Sequence, residues 1–112
     1  MEILVSQDTK AALTLVAISG DLDGKTAPQA QDKVMPLVKE HTNLILDLEK
    51  VAYMSSAGLR FLLSIGRQLP ETARMVLVGL SQHLMDTMRV TGFLELFEVA
   101  DTMEQGKATL AA

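Results

Sequence analysis

The chain has 112 residues, with 10 lysines and arginines against 14 aspartates and glutamates, which gives a formal net charge of -4 at pH 7. It contains no cysteine, which excludes disulfides, thiolate metal sites and thiol redox chemistry. The slight acidic excess argues against nucleic acid as a partner and against binding to an anionic membrane, because both depend on clustered lysine and arginine.

The length predicts one domain over residues 1–112. A domain of this size buries roughly two thirds of its unfolded surface, which is enough for a core without disulfides or a structural metal. The first ten residues do not resemble a signal peptide, because residue 2 is acidic and no long apolar run follows. No run approaches the roughly 20 apolar residues that cross a bilayer. We therefore expect a cytoplasmic protein without direct membrane insertion.

The first part of the chain predicts a hairpin followed by a helix. Short apolar runs at 3–5 and 13–18 are separated by polar residues, which suits two strands joined by a turn. A turn-rich loop occupies residues 20–24, and Thr26 is the predicted N-cap of the first helix. Pro36 is expected to kink the last turn of this helix or to end it early.

Three further strands are predicted in the rest of the chain. Residues 44–48 and 75–78 are short, largely apolar runs, which is typical of strands covered on both faces. Residues 93–99 are expected to form the last short strand. Each of these runs lies next to a segment with helical periodicity.

Three helices are predicted between and after these strands. One begins at Ser55 or Ser56, and the next is opened by Ser81. A capping box of Asp101 and Glu104 predicts the start of the last helix. The order of elements therefore predicts an α/β fold, with a mixed, mainly parallel sheet of about five strands and about four helices.

Enzymatic and metal chemistry find little support in the residues. The histidines, His41 and His83, are far apart and have no second ligand at i+3 or i+4, so no metal site is expected. The Gly-x-Ser-x-Gly elbow and the glycine-rich phosphate loops are absent. Asp21 and Asp23 could form a carboxylate dyad, but their alternation favours a solvated turn. We expect no catalytic residue and no cofactor.

The serine pair at the start of the second helix has two explanations. The carboxyl ends of parallel strands lie at one edge of the sheet, which should bring Asp21 and Asp23 close to Ser55 and Ser56. A serine at a helix start commonly caps free backbone N–H groups. The same position suits a phosphoryl group, because the positive end of the helix tolerates an anion. The residues alone leave both explanations open.

A family resemblance bears on this choice. Residues 46–59, Leu-Asp-Leu-Glu-Lys-Val-Ala-Tyr-Met-Ser-Ser-Ala-Gly-Leu, resemble the signature of the STAS domain of bacterial anti-sigma factor antagonists. Residues 20–23, Gly-Asp-Leu-Asp, are similar to the Gly-Glu-Leu-Asp turn of that family. The resemblance extends from about Ile3 to Leu110, and the predicted order of elements agrees with the family fold.

The resemblance implies an anti-sigma factor antagonist that acts by partner switching. The unphosphorylated form would bind an anti-sigma factor that is also a serine kinase, and phosphorylation would release it. A serine phosphatase would reverse the modification. By position the acceptor is Ser56, and Ser55, which stands where the family often has Asp, is the alternative acceptor.

The resemblance also implies a partner-binding surface, while ATP, magnesium and the catalytic base would come from the kinase. The residues implied at this surface are Asp21, Asp23, Lys25, Tyr53, Ser55, Ser56, Gly58 and Arg60. Two alternatives remain open. One is a STAS regulatory subunit of a membrane transporter, and the other is a subunit of another phosphorylation-controlled signalling or secretion complex.

Overall fold

A computed structural model describes residues 1–40 and 42–111, and within them it has five strands and four α-helices. In chain order the elements are β1 (Glu2–Asp8), β2 (Leu13–Ser19), α1 (Ala27–Val34), β3 (Asn43–Lys50), α2 (Ser56–Gln68), β4 (Met75–Val78), α3 (Gln82–Val90), β5 (Glu98–Ala100) and α4 (Met103–Ala111). Short 3-10 helices occupy Met35–Glu40 and Phe93–Leu96. The predicted α/β class and order of elements are confirmed.

The strands form one sheet in the order β1-β2-β3-β4-β5. Strand β1 runs antiparallel to β2, and every other neighbouring pair is parallel. Each parallel connection contains a helix, so the loops that follow β2, β3 and β4 all lie at the carboxyl edge of the sheet. This edge carries the predicted functional residues.

The central strands of the sheet, β3 and β4, are covered on both faces. Helices α1, α2 and α3 pack on one face, where strand residues such as Leu46 and Leu77 meet Phe61 of α2. Helix α4 packs on the other face, over Ile45 and Val76. Successive residues of β3 therefore point into two different apolar layers, which explains why residues 44–46 are all apolar.

Proline ends the first helix as expected. Helix α1 stops at Val34, and the chain continues as a 3-10 helix over Met35–Glu40. Pro36 has no N–H for an α-helical hydrogen bond, and its ring would clash with the carbonyl four residues earlier. The tighter 3-10 winding lets the chain turn back toward β3.

The prediction of a strand over residues 93–99 is wrong for most of that range. Phe93–Leu96 form a 3-10 helix, and β5 begins only at Glu98. Phe93, Leu94 and Phe97 are half-buried against the helical layer of the core. Their spacing is that of a helical turn, and a short run that is mostly apolar fits a helical turn as well as a strand.

The start of α4 differs from its prediction by one residue. The Thr102 Oγ1 accepts a hydrogen bond from the Gln105 N–H at 3.1 Å. The Gln105 side chain in turn accepts from the Asp101 N–H at 3.2 Å. The capping pair is therefore Thr102 and Gln105, instead of Asp101 and Glu104. Because both pairs have the same spacing, the sequence pattern fits either.

Two helical glycines should respond in opposite ways to alanine. A Cβ on Gly106 would lie 2.8 Å from Val78 Cγ2. On Gly66, which is exposed, the nearest atom would be Met75 Cε at an ordinary 3.6 Å. We expect Gly106→Ala to destabilise the fold by about 1–3 kcal/mol through overpacking. Gly66→Ala should stabilise it by roughly 0.5–1 kcal/mol through helix propensity. Urea unfolding measures both, and equal effects would contradict the packing of α4.

Candidate functional site

Two loops at the carboxyl edge of the sheet are joined through Leu22. Its N–H donates to the Tyr53 carbonyl at 3.0 Å, and its carbonyl accepts from the Ser55 N–H at 2.8 Å. Leu22 and Met54 form an isolated parallel bridge, and the Leu22 side chain is fully buried. Sheet pairing thus resumes beyond the ends of β2 and β3 and holds the two loops together.

Gly58 allows α2 to begin against this junction. A Cβ at this position would lie 2.5 Å from Met54 Cγ and 2.8 Å from the Leu22 carbonyl oxygen. No larger residue fits without moving the loop. Gly58 is buried, so its part in the site is to permit close packing rather than to contact a partner directly.

The loop before α1 is stabilised by its own polar groups. The Asp23 Oδ1 accepts hydrogen bonds from the N–H groups of Lys25 at 2.9 Å and Thr26 at 3.1 Å. Thr26 is the residue before α1, as predicted, but its side chain does not cap the helix. Its hydroxyl instead donates to the Asp21 carbonyl at 2.6 Å and accepts from the Asp23 N–H at 2.9 Å.

These hydrogen bonds give Asp23 a structural role. The Thr26 N–H, followed by the Lys25 N–H, stabilises the ionised carboxylate and lowers the pKa of Asp23 below its ordinary value. Asp21 is exposed at the other end of the same turn. The geometry is that of a hydrogen-bonded turn in contact with solvent, as the alternation of the two aspartates indicated.

The two adjacent serines have different surroundings. Ser55 is the N-cap of α2, and its half-buried side chain accepts from the Ala57 N–H at 3.2 Å. Ser56 is the first residue of the helix and is exposed. Within residues 1–40 and 42–111, its hydroxyl has no hydrogen-bond partner. Ser55 therefore caps the start of α2, and Ser56 presents its hydroxyl to solvent.

The exposed residues around Ser56 form a surface that we call the rim. It consists of Asp21 and Lys25 from one loop, Tyr53 from the other, and Ser56 and Arg60 from α2. Tyr53 is 52% exposed, so its ring is accessible at this surface. The first turn of α2 contains no acidic residue, so the positive end of the helix is not neutralised there.

The structure also reveals a groove that the sequence did not indicate. It lies between α1 and α2 and has a volume of about 580 Å³. Pro28 and Asp32 line it on the α1 side, and Arg60 and Ser64 on the α2 side, above Phe61. Small residues at the facing helix positions, including the alanines at 27 and 57, were the available signal, because they leave space between packed helices.

The part of the chain that the structure describes has neither a cluster of metal ligands nor a helix suited to crossing a membrane. No group of three or more His, Asp or Glu side chains there could hold a metal ion. His83 is exposed on α3, and His41 lies outside the described residues. Within the same ranges no helix combines the length and apolar character that a bilayer crossing requires.

The junction beneath the rim can be tested with two glycines of the same site. Gly58→Ala would place a methyl group against Leu22 and Met54, and we expect a loss of about 1–3 kcal/mol in unfolding free energy. Gly24→Ala is the control, because no atom lies within 4 Å of its Cβ position. Denaturant unfolding should show little change or a slight gain for the control. Equal losses for both variants would contradict this packing.

The Asp23 turn predicts a pH-dependent contribution to stability. Because folding lowers the pKa of Asp23, the stabilisation is complete above the unfolded value of about 3.9 and is lost as the pH falls through the lower folded value. Asp23→Asn should therefore be less stable than the wild type at pH 7, and the difference should shrink below about pH 4. Urea unfolding across this range measures it, with Asp32→Asn as a control for the loss of one surface charge. A difference that stays constant with pH would contradict the role of the Asp23 carboxylate.

Comparison with known proteins identifies the family. The STAS domain model matches residues 3–106. The anti-sigma-B factor antagonist of Listeria monocytogenes is 31% identical over 86 residues, which cover 75% of each chain.

Solved structures share the fold. An anti-sigma factor antagonist from Mycobacterium paratuberculosis superposes with a TM-score of 0.90 at 21% identity, over 99% of this chain and 94% of that one. The Bacillus cell fate determinant SpoIIAA in its phosphorylated form gives a TM-score of 0.68 at 20% identity, over 93% and 95% of the two chains. Together with the family match and the relative from Listeria, they establish that this chain belongs to the STAS domain family, among the anti-sigma factor antagonists.

Proposed function

We propose that this protein is a single STAS domain that antagonises an anti-sigma factor by partner switching in the cytoplasm. In its unphosphorylated form it binds the anti-sigma factor, a serine kinase, through the rim. Phosphorylation of Ser56 by that kinase releases the complex, and a serine phosphatase restores the binding form. The protein itself performs no catalysis and needs no cofactor.

The state of the Ser56 hydroxyl carries this proposal. It is exposed, makes no hydrogen bond within the described residues and lies in the first residue of α2, beside the junction at Leu22. Ser55 is a poorer phosphate acceptor than Ser56. Its side-chain oxygen accepts a hydrogen bond from the Ala57 N–H, and modification of that oxygen would remove a helix cap. The neighbouring serines therefore favour Ser56 as the modified residue.

The group transfer requires only a hydroxyl from this chain. The Ser56 Oγ attacks the γ-phosphorus of ATP, and the bond from that phosphorus to the β–γ bridging oxygen breaks as ADP leaves. The hydroxyl proton passes to a base of the kinase. Magnesium, ATP and that base all belong to the kinase.

The charge of the phosphate accounts for release. A phosphoryl group adds about 1.5–2 negative charges at pH 7. Two unit charges 4 Å apart interact by roughly 4 kcal/mol at an effective dielectric of 20, whereas about 1.4 kcal/mol changes an affinity tenfold. A phosphate against a docked acidic or tightly packed surface therefore suffices to expel it, even after screening. The positive end of α2 accommodates the anion, so the fold is kept.

Two comparisons support the proposal. The relative from Listeria, of similar length, is named an anti-sigma-B factor antagonist. SpoIIAA, which shares the fold, has been solved in a phosphorylated form. Both agree with a small STAS domain that is a substrate and a ligand of its partner.

The proposal predicts a different outcome for each of three variants of the serine pair. With a candidate anti-sigma serine kinase from the same genome, Ser56→Ala should bind without being modified, and Ser56→Asp should bind at least about tenfold more weakly. Ser55→Ala is the control, which should still gain one phosphate. Titration calorimetry measures the affinities, and intact mass with peptide mapping locates the phosphate.

Two outcomes would overturn the proposal. One is a phosphate mapped to Ser55 instead of Ser56. The other is equal affinity of the wild type, Ser56→Ala and Ser56→Asp for the kinase, which is the behaviour expected if the domain were instead a regulatory subunit of a membrane transporter.

A further inference from the structure

We propose that Arg60 binds the phosphate of phosphorylated Ser56 within helix α2. Modification then withdraws a cation from the rim in addition to placing an anion there. This inference rests on the proposed function in one respect, namely that Ser56 is the modified residue.

The helix places the two side chains on one face. Ser56 is the first residue of α2 and Arg60 follows it by four positions, so their side chains are neighbours one turn apart. The rise between them is about 6 Å, which an extended arginine side chain spans. Both residues are exposed, so no part of the core has to move for them to meet.

Arg60 is available for this contact. Among the residues that the structure describes, the ion pairs are Arg74 with Glu98 and Arg89 with Asp86. Arg60 takes part in neither and makes no hydrogen bond within the same ranges. No group in the described ranges therefore holds its guanidinium in the unphosphorylated protein.

Among the described residues, none of the other charged groups near this helix face forms an ion pair with Arg60. Asp32 of α1 lines the same groove as Arg60, yet the two are not within ion-pair distance. The Asp23 carboxylate is held by the N–H groups of its own turn. Asp21 and Lys25 are exposed on the loop that Leu22 joins to the start of α2.

A phosphate is a better partner for Arg60 than a surface carboxylate. It offers three strong acceptor oxygens and up to two negative charges, and the planar guanidinium matches such oxygens with two parallel hydrogen bonds. Exposed pairs of arginine with aspartate or glutamate contribute little by comparison. The phosphate thus attracts Arg60 more strongly than any carboxylate of the rim.

The spacing also distinguishes the two serines. Ser55 precedes Arg60 by five positions, which places it about 140° away around the helix axis. A phosphate on Ser55 would point away from the guanidinium of Arg60. A phosphate on Ser56 would lie on the same helix face as the guanidinium, one turn nearer the start of the helix. Arg60 is therefore a specificity-determining residue for a phosphate on Ser56.

The test uses the full chain with phosphoserine installed at position 56 by genetic code expansion, so that no kinase is needed. The second ionisation of the phosphate, near pH 6 in free phosphoserine, is followed by phosphorus NMR during a pH titration. A paired arginine stabilises the dianion, so Arg60→Ala should raise the phosphate pKa by about 0.5. Arg67→Ala is the matched control. Arg67 lies in the last turn of the same helix, about 16 Å from Ser56 along the helix axis.

Arg60→Lys and salt complete the test. Lysine keeps the charge, so the phosphate pKa of Arg60→Lys should lie between those of the wild type and Arg60→Ala. The difference in phosphate pKa between the wild type and Arg60→Ala should shrink in 1 M salt. The same phosphate pKa in the wild type, Arg60→Ala and Arg67→Ala would overturn the inference. If a kinase leaves Ser56 unmodified, the proposed function fails, while this titration still decides whether Arg60 binds the phosphate.

Discussion

The two backbone hydrogen bonds of Leu22 are the interaction on which the rest of the site depends. They extend the pairing of β2 with β3 beyond the strands, so the loop of Asp21 and the loop of Tyr53 become one unit. Segments that are tied to a sheet in this way open less readily than free loops. The position of the Ser56 hydroxyl is consequently set by the sheet itself and not by the conformation of a flexible loop.

The contacts that stabilise the site do not involve the Ser56 hydroxyl. Ser55 satisfies a backbone group of α2, Gly58 makes room for Leu22, and Asp23 holds the turn before α1. Ser56 has none of these tasks. Under the proposed function, a phosphate on its oxygen would leave these stabilising contacts in place, which is what a reversible signal requires.

The sequence carried most of the fold and the location of the site. Alternating apolar runs and helical periodicity predicted the sheet, and the rule for parallel strands brought the aspartates and the serines to one edge. It could not distinguish a helical turn from a strand at residues 93–97, since a short apolar run fits both. The roles of Leu22 and Gly58 were also not readable in full, because they depend on backbone atoms that meet across 30 or more positions.

The junction beneath the rim is made by main-chain atoms, and this has an evolutionary consequence. Hydrogen bonds between N–H and carbonyl groups do not depend on which side chains the loops carry. After gene duplication, the residue at position 53 or 60 can change while the geometry around the hydroxyl is retained. Paralogous domains in one cell can thus acquire separate partners through attractive and repulsive substitutions alone, which insulates parallel signalling pathways from cross-talk.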